Sequence, residues 1–481
     1  MPRPDTTESA PPGGAGEQGT EASRRIIEVP FVLRHVHRRR AVERVASNGT
    51  ISAGIMVLAA VAAVAVANSP AYEAFHGFLE MPLGLAAGPL GASMTLEGFV
   101  NDALMAVFFL LVGIELKYEV TVGELRQPRQ AALPMFAAAG GALIPCIIYL
   151  AVNQGGAVHG WAVPMATDIA FALGVMSLLG DRVAPATKVF FSTLAIADDL
   201  FAIVVIAVAY GQSPNPLWLL ASAGATCILV AMNRRGVYYS APYLAVGLVL
   251  WFCLLRSGVH ATLAGVILAF CLPARSDVRL GEVGEWLASQ GAHLDRTYDK
   301  DSLVLGQHDY MRAARRVERV MHHVSPPLQR VENSIAIPVN FVILPLFAFV
   351  NAQVRLVGVD LGALLGDPVT RGVFLGAVVG KPLGIVAVTW LLVRVGFARL
   401  PSKVDWAQVV GVGLMGGLGF TMSILIAGLA FADPAEVLAA KFAILCASVA
   451  AGVLGCVFLL VADLARPQGG RRGSRCPDSR S

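Results

Sequence analysis

Three carboxylates stand where a bilayer-crossing chain tolerates almost none: Asp168 in ATDIAFALG, and Asp198 and Asp199 side by side in LAIADDLFAIVVIA. A charge at bilayer depth costs from about 3 kcal/mol on insertion scales to roughly 10–17 kcal/mol in simulations, so chains that keep such groups generally use them. Neighbours on a helix point about 100° apart. One of the pair can therefore face a cavity while the other reaches a packed helix or shares an ion. Two close carboxylates do not both ionise cheaply. Such a pair holds protons near neutral pH and releases them when a cation arrives, so that protons and cation compete for the same oxygens. LAIA before the pair and LFAIVVIAVAY after it place it well inside an apolar run. A fourth charge, Lys381 in GAVVGKPLGIVAVTW, sits in another apolar run, where a lysine needs a carboxylate partner. Pro382 directly after it marks a local kink.

The elements that must hold these groups are membrane helices. Of 481 residues, 56% are hydrophobic and 15% charged, against about 25% charged in an ordinary soluble domain. Apolar runs long enough for about 30 Å of hydrocarbon recur down the chain. They predict about twelve spans, near 47–67, 97–117, 130–152, 160–180, 186–210, 215–232, 238–255, 258–272, 334–351, 372–395, 406–431 and 437–462. The loops sort by charge. The flank before the first span, KYEVTVGELRQPRQ, GDRVAPATK, NRRG, the segment 273–330, RVGFARLPSK and the basic tail fall on one side, and NQGGAVHG, GQSPNPLW and ADPAE on the other. This bias puts both termini in the cytoplasm, and an odd span count would scramble it.

The resulting organisation is a disordered and basic cytoplasmic tail (1–46), helices 1–8 (47–272), a cytoplasmic loop insertion (273–333), helices 9–12 (334–462) and a basic cytoplasmic tail (463–481). No signal peptide is expected at the start. RHVHRRRAVERV can lie on anionic lipid or serve as a topogenic flank. Within the insertion, MRAARRVERVMHH has the pattern of an amphipathic helix. The seven cysteines are scattered with no CxxC or Cys/His cluster, so the sequence supports neither a disulfide framework nor a zinc site. The net charge of +4 lies largely between spans and at the ends, which reads as topology and gives no hint of nucleic acid.

Two spans carry interruptions. Pro164 interrupts the segment holding Thr167 and Asp168, and GVGLMGGLGFTMS places five glycines in one apolar run. Non-helical backbone at membrane depth survives only inside protein or along a water-filled cavity. A break leaves helix ends whose partial charges need partners. Asp168 can neutralise an N-terminus there, and Thr167 can offer a hydroxyl. A proline-broken and a glycine-broken segment in corresponding positions is a sequence pointer to a transporter's central site.

The segments ATDIAFALG, AIADDLFAI, SGVHATLAGVI, LPLFAFVNA, GKPLGI and GFTMSI resemble the signatures of bacterial NhaA-type sodium/proton antiporters. The similarity runs from about Asn48 to Leu460 apart from 273–330. It implies an all-α polytopic fold of twelve helices in inverted repeats, with spans four and eleven broken and crossing near mid-membrane. It also implies a cation and proton site at Asp198 and Asp199 with Thr167 beside it, binding Na+ or Li+. Asp168 and Lys381 would compensate charge at the crossing. The family exchanges sodium or lithium for protons electrogenically in the bacterial inner membrane, regulates intracellular pH and sodium, and is switched on by alkaline pH. Its pH-response residues match Glu115, Glu119, His260 and Glu332 here. Glu115 and Glu119, four apart, share a helix face. A homodimer through a hairpin within Glu73–Gly98 follows from the resemblance alone.

Tyr118 stands where the family often has arginine, Asn333 where a histidine is usual, and Phe201 in place of a glycine near the pair. No enzymatic residue set and no cofactor are expected. An intramembrane aspartyl protease would need a GxGD segment, which is absent, and would leave Asp168 and Lys381 without a role. A proton- or cation-conducting channel is the alternative, separable by whether exchange is saturable and obligatorily coupled.

Overall fold

The computed structural model describes residues 49–85, 92–126, 128–211, 214–276, 278, 280–401 and 404–465. The expectations for the tail 1–46 and for 466–481 lie outside the described residues. In chain order the helices begin with α1 (Gly49–Ala67) and α2 (Tyr72–Leu79). An antiparallel hairpin, β1 (Pro82–Leu85) with β2 (Ala92–Thr95), pairs Pro82 with Thr95 and Leu85 with Ala92. Then come α3 (Leu96–Thr121), α4 (Pro128–Val152), a 3-10 turn (Val158–Met165) leading into α5 (Ile169–Leu178), and α6 (Pro185–Ala209). They are followed by α7 (Pro216–Arg234), α8 (Ser240–Ser257) and α9 (Leu263–Cys271). The insertion forms α10 (Leu280–Thr297) and α11 (His308–Val324). The last group is α12 (Pro327–Asn351), α13 (Leu361–Gly366), α14 (Pro368–Arg394), α15 (Trp406–Gly416), α16 (Phe420–Ala430) and α17 (Pro434–Leu464).

Among the described residues ten spans are long and apolar enough to cross a bilayer, and the α15–α16 pair, bent by 43°, makes an eleventh. Large apolar side chains stay uncovered on their outer faces, Val208 at 82% exposure and Leu220 at 72%, as lipid-facing positions require. The chain is an all-α multi-pass membrane protein. The eighth expected span, 258–272, is only the nine-residue α9, about 14 Å long. Its chain turns in at Gly258, whose left-handed φ of 81° favours glycine, and winds up only after Thr262. Another difference lies at α12, which starts at Pro327 rather than near 334, so Glu332 belongs to a helix and not to the loop before it.

Close packing sets the helix positions around the centre. A Cβ on Gly384 of α14 would lie 2.1 Å from the carbonyl oxygen of Gly140 on α4, so the two backbones touch. Gly384→Ala must push α4 and α14 apart and is expected to cost about 1–3 kcal/mol of stability. Thermal unfolding of the purified protein in detergent checks this, and an unchanged midpoint would show the contact to be slack. Among the described residues three π-helical turns interrupt the spans, at Phe99–Leu104, Val339–Ile343 and Gly376–Gly380. The last ends directly at Lys381, whose N–H donates to the carbonyl of Gly376.

Candidate functional site

The two expected breaks are present and meet each other. In the first, Ala166 is extended (φ −74°, ψ 148°) after the 3-10 turn, and Asp168 caps α5 by accepting a hydrogen bond at Oδ1 from the N–H of Phe171 at 3.0 Å. In the second, Gly417–Gly419 separate α15 from α16. A Cβ on Gly419 would lie 2.7 Å from the carbonyl oxygen of Ala166, so glycine lets the two broken segments touch. They are joined there by the N–H of Asp168 donating to the carbonyl of Leu418 at 2.7 Å, and by the Thr167 hydroxyl donating to that of Gly416 at 3.0 Å.

The arrangement sorts helix ends by sign. The N-termini of α5 and α16 converge on Asp168, whose Oδ2 accepts from the Thr421 hydroxyl at 2.6 Å and the Thr421 N–H at 3.2 Å. A carboxylate is what two positive helix ends call for. The opposite ends, the 3-10 turn finishing at Met165 and α15 finishing at Gly416, present carbonyls that side chains satisfy. Lys381 donates to the carbonyl of Met165 and Thr167 to that of Gly416. Thr421→Val removes the hydroxyl donor to a buried carboxylate and should cost about 1.5–3 kcal/mol. The measurement is again the unfolding midpoint, and Thr421→Ser should restore it.

Asp198 and Asp199 sit midway along α6 against this crossing, 1% and 2% exposed. Lys381, fully buried, donates from Nζ to Asp198 Oδ2 at 2.7 Å. Thr167 lies close enough for its hydroxyl and N–H to act on the Asp198 carboxylate. Asp198 Oδ1 and Asp199 Oδ1 are buried and accept no hydrogen bond from protein. A buried carboxylate oxygen left in that state is strongly destabilised while it is ionised. Asp168, Lys381 and Glu115 lie within electrostatic reach of Asp199. Phe201, one turn below, packs partly buried against the hydrophobic groups on both sides of the crossing.

Glu115 and Glu119 on α3 and Glu332 on α12 form one acidic cluster, with Glu332 and Glu119 both acting on Glu115. His260 is not part of it. It lies at the other end of α9, with Nε2 2.8 Å from the carbonyl oxygen of Tyr210 and Asp102 nearby. Tyr118 and Asn333 are exposed. Sequence reasoning missed two groups. Thr421, whose hydroxyl donates to Asp168, comes from a helix 253 positions away. Lys117 donates to the carbonyls of Phe270 (2.7 Å), Ala269 (3.4 Å) and Leu272, closing the C-terminus of α9. Its place between Glu115 and Glu119 in the sequence put it off their face, which was the available signal.

A family model described as Na+/H+ antiporter 1 matches residues 43–459. The Na(+)/H(+) antiporter NhaA of Oleidesulfovibrio alaskensis is 44% identical over 412 residues, 85% of this chain and 91% of that one. NhaA 1 of Saccharophagus degradans is 42% identical, covering 87% and 90%, and NhaA 1 of Pseudomonas putida 41%, covering 83% and 91%. The solved structure of the sodium proton antiporter MjNhaP1 from Methanocaldococcus jannaschii is matched at 12% identity with a TM-score of 0.43, over 89% of this chain and 97% of that one. The chain belongs to the Na+/H+ antiporter 1 family.

Proposed function

We propose that this chain is an electrogenic Na+ or Li+/H+ antiporter of the bacterial inner membrane, extruding sodium in exchange for protons and thereby regulating intracellular pH and sodium. The observation that carries the reading is the pair of buried, unpartnered carboxylate oxygens on Asp198 and Asp199, held beside Lys381 where two broken helices cross. The relatives' names, Na(+)/H(+) antiporter, support the same exchange.

In this reading the cation binds Asp198 and Asp199, with Thr167 as a neighbouring oxygen. Lys381 holds Asp198 while the ion is absent and yields it when the ion enters. Protonation of both carboxyls removes their negative charge and releases the ion. Two protons entering for one monovalent ion leaving move net charge, so the inward proton gradient drives sodium out. Rocking of one helix bundle against the other exposes the site to each side in turn. Asp168 and Lys381 compensate the helix ends. Glu115, Glu119 and Glu332 serve the pH response from one mouth and His260 from the other. Both termini are cytoplasmic, with two membrane parts, the first ending near 272 and the second beginning with α12 at Pro327, on either side of the insertion, and the β1–β2 hairpin supports a homodimer.

The test is sodium-evoked dissipation of a pH gradient in everted membrane vesicles from about pH 6.5 to about pH 9, the range in which histidine and paired carboxylates titrate. Saturable exchange that stops when either ion is withheld is expected. Sodium or proton flux without the counter-ion would replace this reading by a channel.

A further inference from the structure

The insertion is the part of the chain that the site leaves unused, and it forms a two-helix arm. α10 and α11 pack on each other, with Ala313 of α11 buried. The two helices differ in charge. α10 holds Glu282, Glu285 and Asp295 against a single arginine, whereas α11 holds Arg312, Arg315, Arg316 and Arg319 against Asp309 and Glu318. Spacings of three and four put the four arginines on one face of α11, and all four are exposed. Arg312 pairs with Asp309. Among the described residues no carboxylate lies within ion-pair distance of Arg315, Arg316 or Arg319.

Where the helices join, the chain makes a turn fixed by its own polar bonds. Gln307 donates from Nε2 to the carbonyls of Asp299 (2.6 Å) and Ser302 (2.8 Å) and accepts at Oε1 from the N–H of Asp299 (3.1 Å). The Ser302 hydroxyl donates to Asp299 Oδ2 at 2.6 Å. The turn so held leaves Leu303 and Leu305 in the open, 86% and 88% exposed, on either side of Val304. Single exposed apolar side chains are ordinary, but a cluster of them marks a contact surface.

The arm is rooted at the bilayer. The chain leaves α9 at Cys271 and enters α12 at Pro327. The C-terminal end of α11 rests on the turn after α7, where Tyr239 lies against His322 (centroids 6.1 Å) and meets His323 edge-on (5.9 Å). The 17 residues of α11 span about 26 Å, so its whole length can reach the headgroups from that end. Unpaired guanidiniums beside bare leucines match anionic headgroups over hydrocarbon. The acids of α10 are repelled by the same surface, which decides which side of the arm turns down.

We propose that the arm docks on an anionic lipid surface, with α11 lying on the headgroups through Arg315, Arg316 and Arg319, Leu303 and Leu305 inserted into the acyl layer, and α10 turned to water. The proposal rests on reading the insertion as cytoplasmic, which makes the inner leaflet the one it meets.

Full-length protein in nanodiscs of neutral phosphatidylcholine is compared with protein in discs containing about 30% phosphatidylglycerol, an anionic surface. In the anionic discs hydrogen exchange of residues 302–306 should slow about tenfold, and trypsin cutting after Arg315, Arg316 and Arg319 should fall about tenfold. Salt at about 0.5 M should reverse both changes by screening, a measurement that needs no variant. The triple variant Arg315→Gln/Arg316→Gln/Arg319→Gln should exchange alike in the two discs. The double variant Leu303→Ser/Leu305→Ser should lose tip protection while its arginines stay partly shielded. Exchange and cutting by wild type that are alike in the two discs, or a difference that ignores salt, overturn the docking. Protection present in native membranes and absent from both discs overturns it in favour of a protein partner. Trypsin that cuts the stripe from outside intact spheroplasts, with protection in anionic discs unchanged, would keep the docking and remove the cytoplasmic reading instead.

Discussion

Asp198→Asn and Asp199→Asn should each reduce sodium/proton exchange at least about 100-fold, equivalent to about 2.7 kcal/mol of barrier. Either substitution keeps the size of the side chain and removes the charge. An amide oxygen binds a monovalent cation weakly and an amide nitrogen delivers no proton, so a variant at either position can neither exchange one species for the other nor complete the charge balance. At Asp198 the change also leaves the buried Lys381 ammonium without a counter-charge, with only neutral oxygens, the Met165 carbonyl and the new amide, to accept from it. At Asp199 no protein hydrogen bond to Oδ1 is lost, because none is made, so this variant should remain as stable as wild type while failing to exchange. That contrast separates a binding role from a structural one. Sodium-evoked gradient collapse in everted vesicles, alongside unfolding midpoints, reads both. Exchange that survives both substitutions would move the site away from this pair.

Lys381→Met is expected to destabilise the protein by about 3–5 kcal/mol, the usual cost of removing one partner of a buried ion pair. Its ammonium satisfies Asp198 Oδ2 and the Met165 carbonyl in a position with no access to water. The Lys381→Met/Asp198→Asn double variant removes both charges and should regain most of that loss, since neutral replacement of a whole buried pair is often harmless. The thermodynamic cycle of the two single variants and the double gives the coupling. A coupling near zero would show that the lysine and the aspartate stand close without depending on each other.

The sequence exposed the charged groups because each sits in an apolar run where only a partner or a function keeps it. From that alone Lys381 was expected to need a carboxylate, and the structure pairs it with Asp198. Glu115 and Glu119 followed from their spacing of four. What stayed hidden are partners reached across a break. Asp168 shows one capping role locally, toward Phe171, but its bonds to Thr421 depend on where α16 begins, and five closely spaced glycines do not mark which one ends α15. The length of α9 was hidden for a related reason. Apolarity runs on through 258–272, and a hydropathy window does not register the left-handed turn at Gly258. At α12 a signal went unread, because paired prolines at 326 and 327 are a helix start and put Glu332 on its first turns.

The π turn at Gly376–Gly380 has a consequence for how this chain tolerates change. A π turn holds one residue more than an α turn, and each helical residue advances the phase by about 100°. Everything after Gly380 is therefore rotated by about that angle from where an unbroken helix would place it. Lys381 reaches Asp198 and Gly384 meets Gly140 only in the shifted phase. A descendant lacking one residue in this stretch would own a more regular helix, hydrogen-bonded without interruption, with the lysine swung toward lipid and the glycine seam turned out of its groove. Local order and charge pairing compete here, and the kept irregularity makes the length of this five-residue turn as constrained as the identity of the lysine that follows it.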